Sequence, residues 1–169
     1  ATIDFCPAAA ICDDEGIPGR RTPLIEKGVV KGFIYDLQTA GEAGTESTGN
    51  GSRSVASLPA PGTNALIVAA GNTGFEDMLK NIGEGLVVEQ LMGATQGNIL
   101  GGDFSGNVLL GYKVENGRVT GRVKNTMVSG NVYNLLTEGI TMGSDTRWLG
   151  GSLQTPSILC PSVSVASTA

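Results

Sequence analysis

Gly97 to Asn125, GNILGGDFSGNVLLGYKVENGRVTGRVKN, contains the pattern that decides the fold. Two runs within it, Val108 to Val114 and Arg118 to Val123, are rich in β-branched, aromatic and leucine residues. Residues 115–117, Glu-Asn-Gly, lie between the two runs and are typical of a turn. Strand-forming runs on either side of a glycine-bearing turn predict a β-hairpin.

A second copy of this pattern occurs near the start of the chain. Ile25 to Ile34, IEKGVVKGFI, aligns with Val114 to Val123, VENGRVTGRV; we call these segments the first and the second ribbon. A two-residue turn would hold Lys27 at positive φ, which suits an asparagine but strains a lysine. We therefore expect three-residue loops in which only Gly28 or Gly117 adopts the left-handed conformation.

These loops would fix which residues face each other in the two ribbons. Ile25 would face Val29, Val114 would face Arg118, and Gly121 would lie opposite Gly111. Because side chains alternate between the two faces of a strand, one face of each ribbon should be buried. The residues expected on the buried faces are Val30, Gly32 and Ile34 in the first ribbon, and Val119, Gly121 and Val123 in the second.

Composition and element order predict the fold class. Glycine supplies 26 of the 169 residues, and charged residues supply only 16%, whereas about 7% glycine and about a quarter charged residues are usual. Strands and helices do not alternate regularly, so we expect a β-rich α+β fold with a mostly antiparallel, barrel-like sheet and two helices. The helices are expected from Asn72 or Thr73 to Ile82 and over Val132 to Thr137, with Leu37 to Arg53 as a long loop.

Length and charge restrict the possible functions. The chain suits one domain, residues 1–169, and its first residue, Ala1, suggests a fragment of a longer chain. The net charge of −5 argues against nucleic-acid binding, and no apolar run approaches the length of a membrane span. The low charged fraction also suggests that another chain covers part of the surface.

The chain contains no histidine. A Ser-His-Asp triad, a Cys-His dyad and a histidine-bearing zinc site are therefore excluded for this chain alone. Cys6, Cys12 and Cys160 lack the CxxC spacing of a metal or redox motif. They are either small buried hydrophobic residues in a reducing compartment, or two of them form a Cys6–Cys12 or Cys12–Cys160 disulfide.

Asp13, Asp14, Glu15 and Asp103 are the candidate carboxylates for chemistry. They could supply an acid and base pair, or a site for a hard cation. The calcium-loop spacing is absent, however, and adjacent carboxylates beside a glycine are usually solvated turn formers.

Two glycine-bearing segments are candidate binding loops. Ser47 to Arg53, STGNGSR, offers backbone N–H groups, hydroxyls and a guanidinium, which suit an anion or a peptide carboxylate. Its alternative is a hairpin-like turn packed on the barrel. Gly101 to Gly106, GGDFSG, permits a bulge or a backbone exposed to a ligand, with Phe104 either in the core or as a platform for a peptide side chain.

Several short motifs follow one another in a specific order. They are Asp13-Asp14-Glu15-Gly16, Leu24-Ile25-Glu26-Lys27-Gly28-Val29, Tyr35-Asp36 with Thr39-Ala40, Ser47-Thr48-Gly49-Asn50-Gly51, Pro61-Gly62-Thr63-Asn64, Gly102-Asp103-Phe104-Ser105, Val114-Glu115-Asn116-Gly117, and Val128-Ser129-Gly130-Asn131 with Gly143-Ser144-Asp145. Each motif is weak alone. Their order, over almost the whole chain, resembles the C-terminal domain of the TldD/PmbA family, also called modulator of DNA gyrase, although the acidic charge gives that second name no support.

The resemblance implies a cytoplasmic protein two to three times this length, with a barrel-like C-terminal domain. In that family a TldD-type subunit carries a zinc-binding His-Glu-x-x-x-His helix upstream of this domain and a cysteine ligand near its C-terminus. A PmbA-type partner lacks these zinc residues. Together they resemble a peptidase that binds its substrate as an added strand.

Two segments resemble the PmbA branch of the family. Leu86 to Gly93 is similar to that branch, and Leu149-Gly150-Gly151-Ser152 stands where the zinc branch has Gly-x-Cys-Gly. Cys160 does not match the cysteine position. The resemblance therefore implies no metal ligand, catalytic residue or cofactor in this chain, and zinc only in a TldD-type partner.

We expect a PmbA-like, non-zinc subunit that contributes a dimer surface and a peptide-binding cleft. Its partner would be a TldD-like subunit or a second copy, with a peptide as substrate and neither nucleic acid nor membrane bound. Two alternatives are a self-associating structural module and an independent enzyme that uses carboxylates. The candidate substrate-binding residues are Thr48, Gly49, Asn50, Gly51, Arg53, Gly102, Asp103, Phe104 and Ser105.

Overall fold

The computed structural model describes residues 3 and 6–168. These residues form twelve strands and three helices. In chain order the elements are β1 (Ile25–Glu26), β2 (Val29–Val30), α1 (Leu37–Ala43), β3 (Gly51–Ser52), β4 (Ala60–Pro61), β5 (Leu66–Ile67), α2 (Phe75–Lys80), β6 (Glu84–Met92), β7 (Asp103–Glu115), β8 (Arg118–Arg122), β9 (Thr126–Asn131), α3 (Val132–Thr137), β10 (Thr141–Leu149), β11 (Leu153–Leu159) and β12 (Ser164–Ser167).

The fold is β-rich α+β with mostly antiparallel pairing, as predicted, but it has three helices instead of two. The additional helix, α1, lies within the segment expected to be a loop. Asp36 caps it in a capping box: its carboxylate accepts from the Thr39 backbone N–H at 2.7 Å, and the Asp36 N–H donates to the Thr39 hydroxyl. Gly44 ends the helix at φ 65°. These two caps outweigh the poor helix propensity of the segment.

Both ribbons have two-residue turns, so the predicted three-residue loops are wrong. Lys27 and Gly28 have φ of 51° and 77°, and Asn116 and Gly117 have φ of 50° and 75°. Such a turn follows the twist of the paired strands, and this gain offsets the strain at the lysine. The register shifts accordingly, and the observed partners are Ile25 with Val30, Glu26 with Val29, Val114 with Val119, and Glu115 with Arg118.

The predicted buried faces of the ribbons are wrong at Val30, Val119 and Gly121, whereas Gly32, Ile34 and Val123 are half-buried. Val30 is 59% exposed and Val119 is 49% exposed. Gly121 is exposed and lies opposite Lys113, not Gly111, because a bulge follows Lys113 in the pairing of β7 with β8. In the second ribbon the bulge also interrupts the alternation, because Val119 pairs with Val114 and Gly121 with Lys113, whose side chains point to opposite faces of β7.

The chain forms two compact units. The first comprises Ala1–Val68 and Arg147–Thr155, and the second comprises Ala69–Thr146 and Pro156–Ala169. In the second unit, β12, β9, β7 and β6 form a sheet in that order, and β8 pairs with β7. Among residues 3 and 6–168 no sheet closes into a barrel, and the barrel-like arrangement stays a prediction.

The core of the second unit lies against β7. Val108 and Val114 of β7 are buried, as are Val128 of β9 and Met78 and Leu79 of α2. Helix α2 lies within the predicted segment, but Gly74 caps it without a side-chain hydrogen bond, in place of Asn72 or Thr73.

The sequence predicted α3 with its observed bounds. Asn131 caps it by accepting from the backbone N–H groups of Tyr133 and Asn134. Across the described part of the chain, none of the three helices has the length and apolar character that crossing a membrane requires.

Candidate functional site

The first unit contains a groove of about 640 Å³ beside the first ribbon. Its walls come from the ribbon, the segment before it, and the segment that follows α1. We call it the ribbon groove. The lining residues are Arg20, Thr22, Pro23, Val30, Lys31, Gly32, Phe33, Tyr35, Thr45, Glu46 and Thr48.

Thr48 fixes the end of the groove to the segment that leaves the ribbon. Its hydroxyl accepts from the Tyr35 backbone N–H at 2.8 Å, and its single proton is within reach of both the Asn50 amide oxygen at 2.8 Å and the Tyr35 carbonyl at 3.1 Å. The Thr48 backbone N–H also donates to that carbonyl. Two hydrogen bonds that do not use the hydroxyl proton join Tyr35 and Thr48, thirteen positions apart, and hold this wall in one geometry, which a binding site requires.

The charged side chains of the groove include two cations and one anion. The Arg20 guanidinium donates to the Ser47 carbonyl, and the Lys31 ammonium lies 3.9 Å from the Glu26 carboxylate. Glu46 is the anionic lining residue. Half-exposed ion pairs at such a distance are weak, so Lys31 can reorient toward a ligand. The groove therefore brings two cations together, with Glu46 on the same lining and Glu26 beside Lys31.

Sequence reasoning missed Arg20, Thr22 and Lys31 as candidate site residues. They belong to separate short segments, and no motif joins them. The available signal was the pattern of the first ribbon itself, in which Lys31 alternates with Val30 and Gly32. We interpreted this alternation as evidence that the face with Val30 is buried, but Val30 is 59% exposed.

The predicted loop 47–53 forms hydrogen bonds mainly with other residues of the first unit. Gly49 is buried at φ 73°, where a Cβ atom would lie 2.6 Å from the Pro18 carbonyl oxygen. The Asn50 amide donates to the Gly62 carbonyl at 3.0 Å and accepts from the Thr48 hydroxyl. Gly51 and Arg53 donate their backbone N–H groups to Asp13 and Asp14. Of the five predicted residues in this loop, Thr48 lines the ribbon groove.

The candidate carboxylates of the first unit organise its backbone. Asp13 is buried, and its carboxylate accepts from the N–H groups of Glu15, Ile17 and Gly51. Glu15 accepts from Leu37 at 2.8 Å. A carboxylate with several backbone donors is a structural acceptor that holds a turn, which agrees with the turn-forming alternative.

The residues that the structure describes do not fit a zinc site. No cluster of three or more His, Cys, Asp or Glu side chains that could hold a metal ion occurs in residues 3 and 6–168. Zinc sites use sulfur and imidazole ligands, and the chain has no histidine. We therefore derive no chemical step through a metal in this chain.

The predicted residues Gly102 to Ser105 lie in the second unit, at the start of β7. Gly102 is buried at φ 81° beside the Tyr133 ring, where a Cβ atom would lie 2.6 Å from Cδ2. The Asn131 amide donates to Asp103 at 2.8 Å, and Phe104 is half-buried against Gly130. Close packing with α3 therefore explains the glycine, and Phe104 is partly a core residue.

Ser105 lines a second, smaller groove of about 250 Å³ in this unit. Met92, Asn107 and Met127 form one row across β6, β7 and β9, because each pairs directly with the next. Both methionines are about half exposed. We call this the methionine groove, and its other lining residues are Gly93, Gln96, Gly97 and Gly106.

All three cysteines are free, so neither of the two alternative disulfides forms. Cys6 is buried, as expected for a small hydrophobic residue, but Cys12 is exposed. Cys160 is half-buried, and burial raises the pKa of its thiol.

A comparison with protein families identifies the fold as a known one. The model of the PmbA/TldA metallopeptidase C-terminal domain matches residues 1–167. The chain belongs to this family. The predicted resemblance is therefore confirmed over nearly the full length of the chain.

Two relatives that match this domain carry the names TldD and PmbA. A metalloprotease TldD homologue of Haemophilus influenzae is 33% identical over 104 residues, which cover 61% of this chain and 21% of the relative. The metalloprotease PmbA of Escherichia coli O157:H7 is 34% identical over 94 residues, covering 55% of this chain and 18% of the relative. The chain thus matches about a fifth of the length of these proteins.

A solved structure shows the same fold. TldE from Thermococcus kodakarensis is 34% identical and superimposes with a TM-score of 0.85, covering 94% of this chain and 36% of the TldE chain. The PmbA/TldA domain described here therefore corresponds to about a third of that protein.

Proposed function

We propose that this PmbA/TldA domain belongs to a PmbA-like, non-zinc subunit of a cytoplasmic metallopeptidase system that processes peptides. The match of the family model to residues 1–167 carries the proposal. Leu149-Gly150-Gly151-Ser152, at the position where the zinc branch has Gly-x-Cys-Gly, supports the non-zinc branch. Zinc and the hydrolytic chemistry would then come from a TldD-like partner. We also propose that the sheets of this domain have a barrel-like arrangement.

The role of this chain would be to bind peptide and to form a dimer surface. Exposed apolar side chains support such a surface, because a domain normally buries or disperses them. Ile25, Val29 and Phe33 of the first ribbon are each more than half exposed. The proposed peptide-binding residues are Thr48, Gly49, Asn50, Gly51 and Arg53 in the first unit, and Gly102, Asp103, Phe104 and Ser105 in the second.

Co-expression of the full-length protein with and without a TldD-type subunit tests this function. We expect the complex, but not the protein alone, to retain zinc in metal analysis and to hydrolyse an unfolded peptide substrate. Zinc held tightly by the protein alone, or peptide turnover without a partner, would contradict the non-zinc assignment. Homo-oligomers that never associate with the TldD-type subunit would favour the alternative, a self-associating structural module.

Substitution of Arg53 tests the proposed peptide-binding loop. Arg53→Ala should weaken peptide binding by the complex roughly 3- to 10-fold if its guanidinium contacts the peptide. Arg21→Ala is the matched control, because Arg21 is exposed like Arg53 but lies outside the loop 47–53. Equal affinities for the two variants and the wild type would remove Arg53 from the site.

A further inference from the structure

We propose that the ribbon groove binds a peptide carboxylate, with Lys31 and Arg20 as cations and the Thr22 hydroxyl as an additional donor. This inference rests on the proposed peptide-binding function and adds the chemical class of the ligand. The carboxylate can be the C-terminus of a peptide or the side chain of an acidic residue. Both present two acceptor oxygens of the same chemistry.

The Thr22 hydroxyl is the first observation that points to a ligand. Its oxygen is buried and has no hydrogen-bond partner among the described residues. Buried polar groups are nearly always paired, since an unpaired one loses its hydration without compensation. Thr22 lines the ribbon groove, so an acceptor in the groove can supply the missing partner.

The two cationic side chains favour an anion as that acceptor, while Glu46 on the same lining and Glu26 beside Lys31 offset part of their charge. The Arg20 guanidinium uses a described hydrogen bond to Ser47, and a guanidinium has five N–H donors in a planar fork that matches a carboxylate. The Lys31 ammonium has only a distant exposed partner, Glu26. Two cations beside an unsatisfied donor match a carboxylate better than a neutral group.

The apolar and aromatic walls favour a peptide over a small inorganic anion. Phe33 is 65% exposed and Val30 is 59% exposed, and both line the groove with Pro23 and Tyr35. Sites that bind organic ligands combine such walls with a few placed polar groups. A volume of about 640 Å³ accommodates several residues of an extended peptide. Glu46, on the same lining, can accept from a peptide N–H.

Binding to the full-length protein, without partner or added zinc, can be measured by isothermal titration calorimetry. The first peptide pair is acetyl-Ala-Phe-Ala with a free C-terminus and the same peptide with a C-terminal amide. The second is acetyl-Ala-Glu-Phe-amide and its glutamine analogue. The inference predicts that at least one acid binds 10-fold or more tightly than its neutral analogue, and the pair that shows the difference identifies the source of the carboxylate. Equal binding within both pairs, or no binding, would overturn it.

Two variants assign the effect to the groove. Lys31→Met should weaken the acid peptide roughly 3- to 10-fold, whereas Lys27→Met, in the turn of the same ribbon and outside the groove, should not. Thr22→Val should weaken it by a similar factor without lowering the Tm, because it removes an unpaired buried hydroxyl, and Thr22→Ser should restore affinity. Unchanged affinity in both Lys31→Met and Thr22→Val would contradict the assignment.

The groove assignment and the proposed peptidase role can fail independently of each other. Acid-selective binding by a protein that never associates with a zinc-bearing subunit on co-expression would leave the groove assignment standing and remove the peptidase role. A zinc-dependent complex whose groove variants bind peptide normally would support the peptidase role and reject the groove assignment.

Discussion

The two ribbons share one sequence pattern and one turn, yet they have different surroundings. Gly28 and Gly117 have φ of 77° and 75°, and the residue before each glycine is also at positive φ. The second ribbon continues into the five-stranded sheet, where Val114 is completely buried. The first ribbon forms a two-stranded sheet of its own, and all four of its strand residues are exposed.

The turns show the same contrast. Gly117 donates its backbone N–H to the Ile82 carbonyl, and a Cβ atom there would lie 2.9 Å from Cα of Lys80. A Cβ atom at Gly28 would have no described atom within 4 Å. The local pattern therefore determines the hairpin, while the packing around it determines whether the hairpin is a scaffold or a surface available for binding.

Alanine at the two turn glycines gives the largest expected difference. Gly117→Ala should lower the free energy of unfolding by about 3 kcal/mol, because it adds a clash with the α2 backbone to the strain of positive φ. Gly28→Ala should cost about 1 kcal/mol, from the strain alone. Denaturant unfolding of the full-length protein measures both. Gly121→Ala is the control, since Gly121 lacks positive φ and close neighbours, and equal losses at Gly117 and Gly28 would refute the contrast.

Valine truncation should show a smaller difference. Val114→Ala leaves a cavity at a residue that is 0% exposed and should cost about 2 kcal/mol. Val30→Ala should change the free energy of unfolding by less than about 0.5 kcal/mol but should weaken peptide binding, because Val30 lines the ribbon groove. Calorimetric binding and denaturant unfolding separate the two effects. A large stability loss at Val30 would mean that the first ribbon is also a scaffold.

The smallest expected effect depends on pH and concerns the helix that follows the first ribbon. The hydrogen bond from the Thr39 hydroxyl, followed by that from its backbone N–H, lowers the pKa of Asp36 below its ordinary value of 3.8. The stabilisation of α1 by the ionised Asp36 carboxylate is therefore complete above pH 3.8, and it is lost as the pH falls through the lowered pKa of Asp36.

The amide resonance of Thr39 should report this titration. The chemical shift of the Thr39 amide should change below pH 3.8, whereas amides of the second ribbon should not show the same titration curve. Asp36→Asn keeps the cap but does not titrate, so its Thr39 resonance should lack the transition. Asp36→Ala should lower the Tm by roughly 2–4 °C at neutral pH. A Thr39 curve unchanged by Asp36→Asn would show that another group causes it.

The sequence predicted those elements whose signals are local. The bounds of α3 follow from Asn131, and both hairpins follow from strand-forming runs around a glycine-bearing turn. Helix α1 was missed because its threonine and glycine content suggested a loop, although Asp36 and Thr39 have the spacing of a capping box. A capping pattern alone does not decide whether a helix forms, because the caps compete with the low helix propensity of the residues between them.

The ribbon groove could not be predicted because its parts are distant in sequence. Thr48 was a candidate from its motif, but Arg20 and Lys31 reach the groove through the fold of the first unit. Likewise, the alternation in the first ribbon could not show that Val30 is exposed. Which face a neighbour covers is a tertiary property.

Hydrogen exchange of the full-length protein, with and without the acid peptide that binds, tests the contrast between the ribbons most directly. If the first ribbon is a recognition surface and the second a scaffold, the peptide should slow amide exchange in residues 24–35. Residues 112–122 should exchange at the same rate in both samples. Slowing confined to residues 112–122, or no change in residues 24–35 at saturating peptide, would contradict this account.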